Sequence, residues 1–347
     1  MESLLSRFGR RLVTVPLMAV VGLLTLLLLP VWLPIALVAD FIRPGPPVAS
    51  RLGLCLVVYF FMEFFGVIGC FLLFLLRILH VIPNRKSYLK AHYILQHMWG
   101  TGLLRGSFFL LKLKLKVSGA EHFREGPALV FMRHVTLLDT LLPAASFGQR
   151  RTVQLRYLLK KELLYVPSLD ICGNRIPNVF VDRSGKNREE MLNDVETLAS
   201  GLGADDALIL YPEGTRFTLG KQKRLRAKLA ASGNLEHLRQ AERLQHLLPV
   251  RIGGPNACFK AAPNADVLIV GHVGFEGAAS LRHFLSGRVY NRTIHVRIWR
   301  TPNAELPEGL EARGKWLNAR WEELDAWIQG FASDPTESAN SESRHSE

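Results

Sequence analysis

Two long apolar runs near the start of the chain limit what it can fold into. Residues 13–39 carry no charged side chain, and Glu63 is the one charged residue in residues 52–76. A helix needs about 20 predominantly apolar residues to cross the hydrocarbon core of a bilayer. The two runs therefore predict an N-terminal membrane anchor of two hydrophobic helices. The first run exceeds the apolar core of a cleaved signal peptide, roughly 7–15 residues, and no small-residue cleavage pattern ends it.

The charges that flank these runs predict an orientation. The basic residues outside the pair are Arg7, Arg10, Arg11, Arg77, Arg85, Lys86 and Lys90, against Arg43 and Arg51 between the runs. By the positive-inside rule, both outer ends and the domain that follows face the cytoplasm. Pro30 and Pro34 would break a helix in the first run, so a re-entrant hairpin in one leaflet stays open beside a two-span hairpin. Glu63 would be costly in lipid, and we expect it to contact protein.

The net charge and the cysteine content limit the kinds of partner and ligand that the chain could bind. The 347-residue chain has a formal net charge of +13, which attracts lipid headgroups, a nucleotide-bearing donor or nucleic acid. No nucleic-acid-binding motif accompanies this charge, so we expect no nucleic-acid partner. Cys55, Cys70, Cys172 and Cys258 form no CxxC pair. We therefore expect reduced thiols, no metal site and no disulfide framework.

After Pro83 the sequence alternates strand-like and helix-like patterns. The predicted strands are residues 110–117, with Lys112, Lys114 and Lys116 on one face, and residues 128–132, 207–211, 247–252, 267–273 and 294–299. The predicted helices are residues 188–200, 221–231 and 308–331. This alternation predicts an α/β (mixed α+β) domain built on one sheet. We divide the chain into an anchor (1–90), a folded cytosolic domain (91–331) and a disordered tail (332–347) that lacks apolar bulk.

A histidine and an aspartate follow the predicted strand at residues 128–132. His134 comes directly after the strand, and Asp139 lies five residues further on. Positions five apart do not share a helix face, so His134 must precede the helix that Thr136 and Asp139, with capping-box spacing, would start. In that geometry the carboxylate holds one ring nitrogen and leaves the other to take a proton from an alcohol.

A second polar segment ends the apolar strand at residues 207–211. It reads Tyr211-Pro212-Glu213-Gly214-Thr215-Arg216. A buried strand that runs into Pro-Glu-Gly-Thr-Arg predicts a tight turn that exposes a carboxylate and a guanidinium together.

These segments together resemble the PlsC-like glycerolipid acyltransferase family, whose signatures include His-x4-Asp and Glu-Gly-Thr-Arg. Residues 178–183 are similar to the family's second block, which ends in an arginine, here Arg183, and Lys160 and Lys161 precede it. Residues 246–250 look like the fourth block, a hydrophobic strand that carries a proline, here Pro249. The resemblance extends over about residues 110–275 and implies a single sheet flanked by helices.

The resemblance also implies roles. It makes His134 the general base toward an acceptor hydroxyl and Asp139 the partner that orients it. It implies that three cations bind the acceptor phosphate, namely Lys161, Arg183 and Arg216. It also implies that three turn residues shape the loop and bind the acceptor, namely Glu213, Gly214 and Thr215. Arg133 stands where the family usually has asparagine, and its guanidinium either binds phosphate or points to solvent.

These expectations define a membrane-bound acyltransferase. The acceptor would be a lysophospholipid hydroxyl, and 1-acylglycerol-3-phosphate is the acceptor that we expect. The alternatives are glycerol 3-phosphate, a lysophosphatidylinositol-like lipid and a lyso-aminolipid. The acyl donor would be acyl-CoA or an acylated carrier protein, with no further cofactor. No GxSxG pattern is present, so we expect direct transfer without an acyl-enzyme. A non-catalytic, basic membrane-binding protein on the same fold is the alternative from another class.

Overall fold

The computed structural model describes residues 3–123, 126–146, 153–182, 188–278 and 284–332. These residues contain one seven-stranded sheet in the order β1-β7-β6-β2-β5-β3-β4. Its strands are β1 (Lys114–Ser118), β2 (Ala128–Met132), β3 (Gln154–Lys160), β4 (Val179–Val181), β5 (Asp206–Leu210), β6 (Asp266–Val273) and β7 (Thr293–Thr301). Neighbouring strands are parallel except β6 and β7. The predicted α/β class with one sheet is confirmed.

Both faces of the sheet are covered, and this explains the continuous apolar character of its central strands. Every residue of β2 and of β5 is buried, as is typical of parallel strands between two layers of helices. One face packs against α7 (Arg188–Ala199), α10 (Gly253–Ala261) and α11 (Leu310–Ala332). The other face packs against α4 (Arg85–Leu111) and α5 (Leu142–Ser146). Two further helices, α8 (Leu219–Ala231) and α9 (Leu235–Arg243), follow β5.

The apolar N-terminal segment forms three helices: α1 (Leu4–Leu27), α2 (Leu29–Ile42) and α3 (Val48–Ile78). The first run breaks at Leu28, and Pro30 lies in the first turn of α2, a position that suits proline. Pro34 lies inside α2 and does not end it, so the expected break at this proline is absent. Among the described residues, α1 and α3 are long and apolar enough to cross a membrane. The expectation of two hydrophobic helices with that capacity is confirmed.

The basic end of α1 is fixed to the sheet domain by an ionic contact. Asp170, on the short helix α6 (Pro167–Gly173), is fully buried. Its carboxylate accepts hydrogen bonds from Arg10 Nη2 and Arg11 Nε, each at 2.8 Å. These two arginines, which the sequence indicates only as flanking charges, therefore lie on the same side of the anchor as the sheet domain.

Glu63 makes the second contact between anchor and domain. Its buried carboxylate on α3 accepts a hydrogen bond from Ser168 Oγ at 2.6 Å and another from Trp99 Nε1 at 3.1 Å. The backbone N–H of Ser168 donates to the other oxygen at 3.1 Å. The expectation that Glu63 contacts protein is confirmed, and a carboxylate in an apolar helix has its polar partners in α6 and α4.

Several predicted elements differ from the structure. Residues 247–252 are not a strand. Leu248 donates its N–H to the Glu213 side chain, Arg251 donates to the backbone oxygen of Pro212, and Pro249 has no N–H, so no ladder forms there. The strand predicted at 110–117 begins at Lys114, because α4 continues to Leu111. The domain boundary proposed at residue 90 falls within α4, and residues 333–347 of the proposed tail lie outside the described residues.

Candidate active site

The sheet topology brings the polar segments together. Strands β2, β3 and β5 are parallel, and β5 pairs with each of the other two. Their carboxyl ends therefore lie at one edge of the sheet. The segments that leave these ends contain His134, Lys160 and Lys161, and residues 211–216. α4 and α6 pack against the same edge, so the anchor and the candidate site are neighbours.

His134 and Asp139 form a hydrogen-bonded pair. His134 Nδ1 lies 2.9 Å from Asp139 Oδ1, and the ring stacks on Tyr211 with a centroid distance of 4.4 Å. The carboxylate is fully buried, whereas 15% of the His134 side chain is exposed. Since Nδ1 faces a carboxylate it carries the proton, and Nε2 keeps a lone pair. The predicted contact of one ring nitrogen of His134 with the Asp139 carboxylate is present.

The chain around Asp139 is built to hold an anion. Asp139 Oδ2 accepts hydrogen bonds from the backbone N–H groups of Val135 and Thr136, at 2.6 and 2.8 Å. Burial alone would raise the pKa of Asp139, but hydrogen bonds from the rings of His134 and His272 outweigh it and hold the pKa below its usual range. The carboxylate half of the predicted capping box forms, although the turn that follows, Leu138–Leu141, is a 3₁₀-helix.

Glu213 does not lie where the sequence predicts. The turn was expected to expose its carboxylate, but the side chain is buried. One oxygen accepts the N–H of His134 at 3.2 Å, and the other accepts the N–H of Leu248 at 3.0 Å. Burial raises the pKa of Glu213 to about 8, against the lowering effect of those bonds and of the Arg133 charge. Glu213 thus ties the histidine loop to residues 246–250.

Gly214 and Arg251 shape the turn. Gly214 has a φ of 69°, which favours glycine, and a Cβ there would lie 2.9 Å from Arg251 Cδ. Any other side chain would have to displace Arg251. The expected contribution of Gly214 to loop shape therefore has a direct steric basis.

Arg216 lies in a group of cations that includes a residue the sequence did not single out. Lys221, on the first turn of α8, donates from Nζ to Thr215 Oγ1 at 2.7 Å and to the backbone oxygen of Arg216 at 2.9 Å. Burial lowers the pKa of Lys221, and the charges of Arg216, Lys160 and Arg224 lower it further. Like charges this close favour an anionic ligand. We did not predict Lys221 as a site residue from the sequence, because its helix has the composition of a solvent-exposed basic helix.

Lys161 and Arg183 are the two predicted phosphate-binding residues about which the structure says least. Lys161 is exposed, and its Nζ lies 3.6 Å from Asp182 Oδ2. Arg183, the next residue along the chain, lies outside the described residues. The proposal that both bind the acceptor phosphate therefore stays a prediction.

Arg133 fits neither alternative proposed for it, since it is buried and points into the protein. Its Nη1 donates to Glu276 Oε1 at 2.7 Å and to the backbone oxygen of His272 at 2.5 Å. Its Nη2 donates to the backbone oxygen of His246 at 3.2 Å. The two terminal nitrogens of the guanidinium thus join three segments behind the site, while its buried Nε has no hydrogen-bond partner among the described residues.

A cavity of about 280 Å³, whose lining includes Asp182 and Arg251, opens beside Tyr211. Aliphatic side chains from β3, α7 and β5 line it, among them Leu158, Leu192, Val195 and Leu210. The aliphatic part of this lining suits a hydrocarbon chain. Within the described ranges, no group of three His, Cys, Asp or Glu residues could hold a metal ion.

Known proteins share this organisation. Residues 114–251 match the Acyltransferase family. The 1-acyl-sn-glycerol-3-phosphate acyltransferase epsilon of Mus musculus is 27% identical over 192 residues, which are 52% of this chain and 51% of that protein. Lysophosphatidylinositol acyltransferase 10 of Caenorhabditis elegans is 21% identical over 309 residues, which are 81% of this chain and 71% of that protein. The chain thus spans about half the length of the first relative and most of the second.

A solved structure has the same fold. The 1-acyl-sn-glycerophosphate acyltransferase PlsC from Thermotoga maritima superposes with a TM-score of 0.52 at 17% identity, and the match covers 83% of this chain and all of that one. Such low identity establishes the fold alone. Residues 114–251 thus match the Acyltransferase family, and the fold and signature segments of this chain are similar to those of the PlsC-like glycerolipid acyltransferases.

Proposed function

We propose that this protein transfers a fatty acyl group from a thioester donor to the hydroxyl of a lysophospholipid, with 1-acylglycerol-3-phosphate as acceptor and phosphatidic acid as product. The hydrogen bond between His134 Nδ1 and Asp139 carries the proposal, because it places the ring proton on Nδ1 and leaves the lone pair on Nε2, in a side chain that is 15% exposed. The relatives named for acylation of lysophospholipids support this choice of acceptor class.

The chemistry follows from that ring. His134 Nε2 takes the hydroxyl proton while the hydroxyl oxygen attacks the thioester carbonyl, so the C–O bond forms as the O–H bond breaks. The tetrahedral intermediate then expels the thiolate, which recovers the proton from the imidazolium. Asp139 stays ionised and stabilises the imidazolium between these steps. No covalent bond to the protein is required.

Cations beside the ring would bind the acceptor phosphate. Arg216 offers a planar guanidinium suited to two phosphate oxygens, and Lys161 and Arg183 are proposed to add charge. Lys221 holds the loop that carries Arg216 through its bond to the backbone oxygen. Glu213, whose oxygens are taken up by backbone N–H groups, would act by holding the loop.

The substrates would reach the site from a bilayer. The cavity beside Tyr211 would hold an alkyl chain, and the anchor lies at the same sheet edge as His134. We propose a membrane location with the catalytic domain on the cytoplasmic side. The chain should stay in membranes after high-salt and alkaline washing, because apolar burial is not weakened as surface electrostatics are. Release by salt alone would contradict this proposal.

The decisive experiment pairs purified full-length protein in detergent with a panel of lysolipids, each tested with acyl-CoA and with acyl carrier protein. Transfer to 1-acylglycerol-3-phosphate that His134→Ala abolishes supports the proposal. Binding of lysolipid without any transfer would instead favour the non-catalytic alternative, in which replacement of His134 changes nothing.

A different acceptor is the second candidate. The lysophosphatidylinositol acyltransferase of Caenorhabditis elegans aligns with 81% of this chain, and a lysocardiolipin acyltransferase of Danio rerio aligns over the same share at 23% identity. These alignments reach well beyond the 52% that the first relative covers. Preference for a lysolipid with a larger headgroup in the same panel would select this candidate.

A further inference from the structure

His272 lies behind the carboxylate of Asp139, and the proposed mechanism does not use it. Its side chain, near the end of β6, is fully buried. Its Nε2 lies 3.5 Å from Asp139 Oδ2 and 3.1 Å from the backbone oxygen of Arg133. Because this nitrogen faces two oxygens, it carries the ring proton. Asp139 is thus in contact with two imidazole rings, one on each oxygen.

The second nitrogen of His272 shows that the ring is not an ordinary core side chain. Nδ1 is buried and has no hydrogen-bond partner among the described residues. The neighbouring Phe275 ring meets it edge-on with a centroid distance of 5.5 Å. A buried polar atom without a partner destabilises a fold, and an aliphatic side chain would pack here without that cost. The N–H of Nε2 is therefore the feature that needs a role.

We propose that His272 is a positioning residue for acyl transfer, which tunes the basicity of His134 through the carboxylate that both rings contact. The inference rests on the proposed function. With its Nε2 N–H 3.5 Å from Oδ2, His272 draws negative charge away from Oδ1, so Asp139 attracts the proton of an imidazolium less strongly. His134 is then more easily kept in the unprotonated form that a base requires.

Among the titratable and charged groups that face His134, His272 is the one that we propose acts on the ring through Asp139. The titratable and charged groups that face His134 from its own loop, β6 and the segment after β5 are Arg133, Asp139, His272, Tyr211 and Glu213. Arg133 is neutralised by Glu276 at 2.7 Å. Glu213 contacts the backbone N–H of His134, not its ring. Of the side chains in the described residues, only two have recorded hydrogen bonds or ion pairs with Asp139, and His272 is the one besides His134.

Three substitutions separate the role of the N–H from that of packing. In His272→Gln the side-chain amide nitrogen reaches the position of Nε2, in His272→Asn it reaches only that of Nδ1, and His272→Leu has no donor. kcat/KM of the full-length enzyme is measured against pH with 1-acylglycerol-3-phosphate and acyl-CoA. We expect the acid limb of the pH profile to move to higher pH by roughly half to one unit in the Asn and Leu variants, because loss of a hydrogen-bond donor shifts a titration by about that much. In the Gln variant, which keeps the donor, the limb should stay in place.

Two controls make the result decisive. His295→Leu changes a half-buried histidine of β7 whose register partner is Val273, and it should leave the limb in place. ¹⁵N NMR titration of the His134 ring follows the coupling without substrate, so it still tests the inference if the wild type transfers no acyl group and the proposed function fails. Unchanged His134 titration in folded Asn and Leu variants would overturn the proposal, as would an equal shift in His295→Leu.

Discussion

Replacement of Asp139 by asparagine should reverse the tautomer of His134. The carboxylate accepts from the His134 ring on Oδ1 and from the N–H groups of Val135 and Thr136 on Oδ2. An amide has one oxygen and one NH₂ group, so it cannot accept on both sides. A buried donor left without an acceptor costs about 1–3 kcal/mol, and placing the oxygen toward the two backbone donors leaves fewer groups unpaired.

That orientation aims the NH₂ group at His134 Nδ1. The ring must then accept at Nδ1 and carry its proton on Nε2, which removes the lone pair that would take the hydroxyl proton. We expect kcat to fall by the full general-base contribution, about 10²–10⁴-fold, although the side chain keeps its size. The Michaelis constants for donor and acceptor should change little, because neither substrate is expected to contact Asp139.

The assay is steady-state transfer by the purified full-length protein, with thermal unfolding as the check on folding. His134→Ala and the double variant should be no slower than Asp139→Asn by more than a few-fold, since residues that act as a unit are not additive. Asp206→Asn is the matched control, because Asp206 is also buried and paired, with Arg156 at 2.7 Å, at the start of β5. Folded Asp139→Asn with near-normal kcat would refute this reasoning.

Variants at three other residues test the remaining assignments. Arg216→Ala should raise the acceptor KM by the loss of a charge-assisted contact of about 1.5–3 kcal/mol, and Arg216→Lys should restore part of it. Glu213 binds a proton more tightly folded than unfolded, so its effect lowers stability as pH rises from about 4.5 to 8, by at most about 1.4 kcal/mol per pH unit. Thermal unfolding should show a flatter pH slope in Glu213→Gln. Asp170→Asn should release α1, detected as faster proteolysis near Arg10 with the sheet domain intact.

The sequence was sufficient for the parts of the site that depend on local order. His134 and Asp139 lie five residues apart in one loop, and the carboxylate bonds to amides of that same loop. The central strands were predicted because burial on both faces makes them apolar throughout. In each case the information lies within a few residues of the feature.

Long-range contacts explain the failures. Arg133 donates hydrogen bonds to residues 246, 272 and 276, which are more than a hundred positions away along the chain. The sequence next to Arg133 does not indicate these partners. Glu213 is buried because the proline-containing segment at residues 246–250 leaves a backbone N–H that its carboxylate satisfies. α4 escaped recognition as a helix because it packs between α3 and the sheet, which removes a clean polar face.

One short segment joins the two halves of the molecule. Lys160 and Lys161 stand at its start, with Lys160 near the cation Lys221, and Ser168 and Asp170, within ten residues, hold the anchor. A segment this short that is fixed at both ends cannot let one end move freely. Displacement of α1 after loss of the Asp170 contact should therefore shift the two lysines as well. Lower activity on bilayer substrate together with a raised acceptor KM in detergent would show that coupling, and a change on bilayers alone would show that the anchor serves only for attachment.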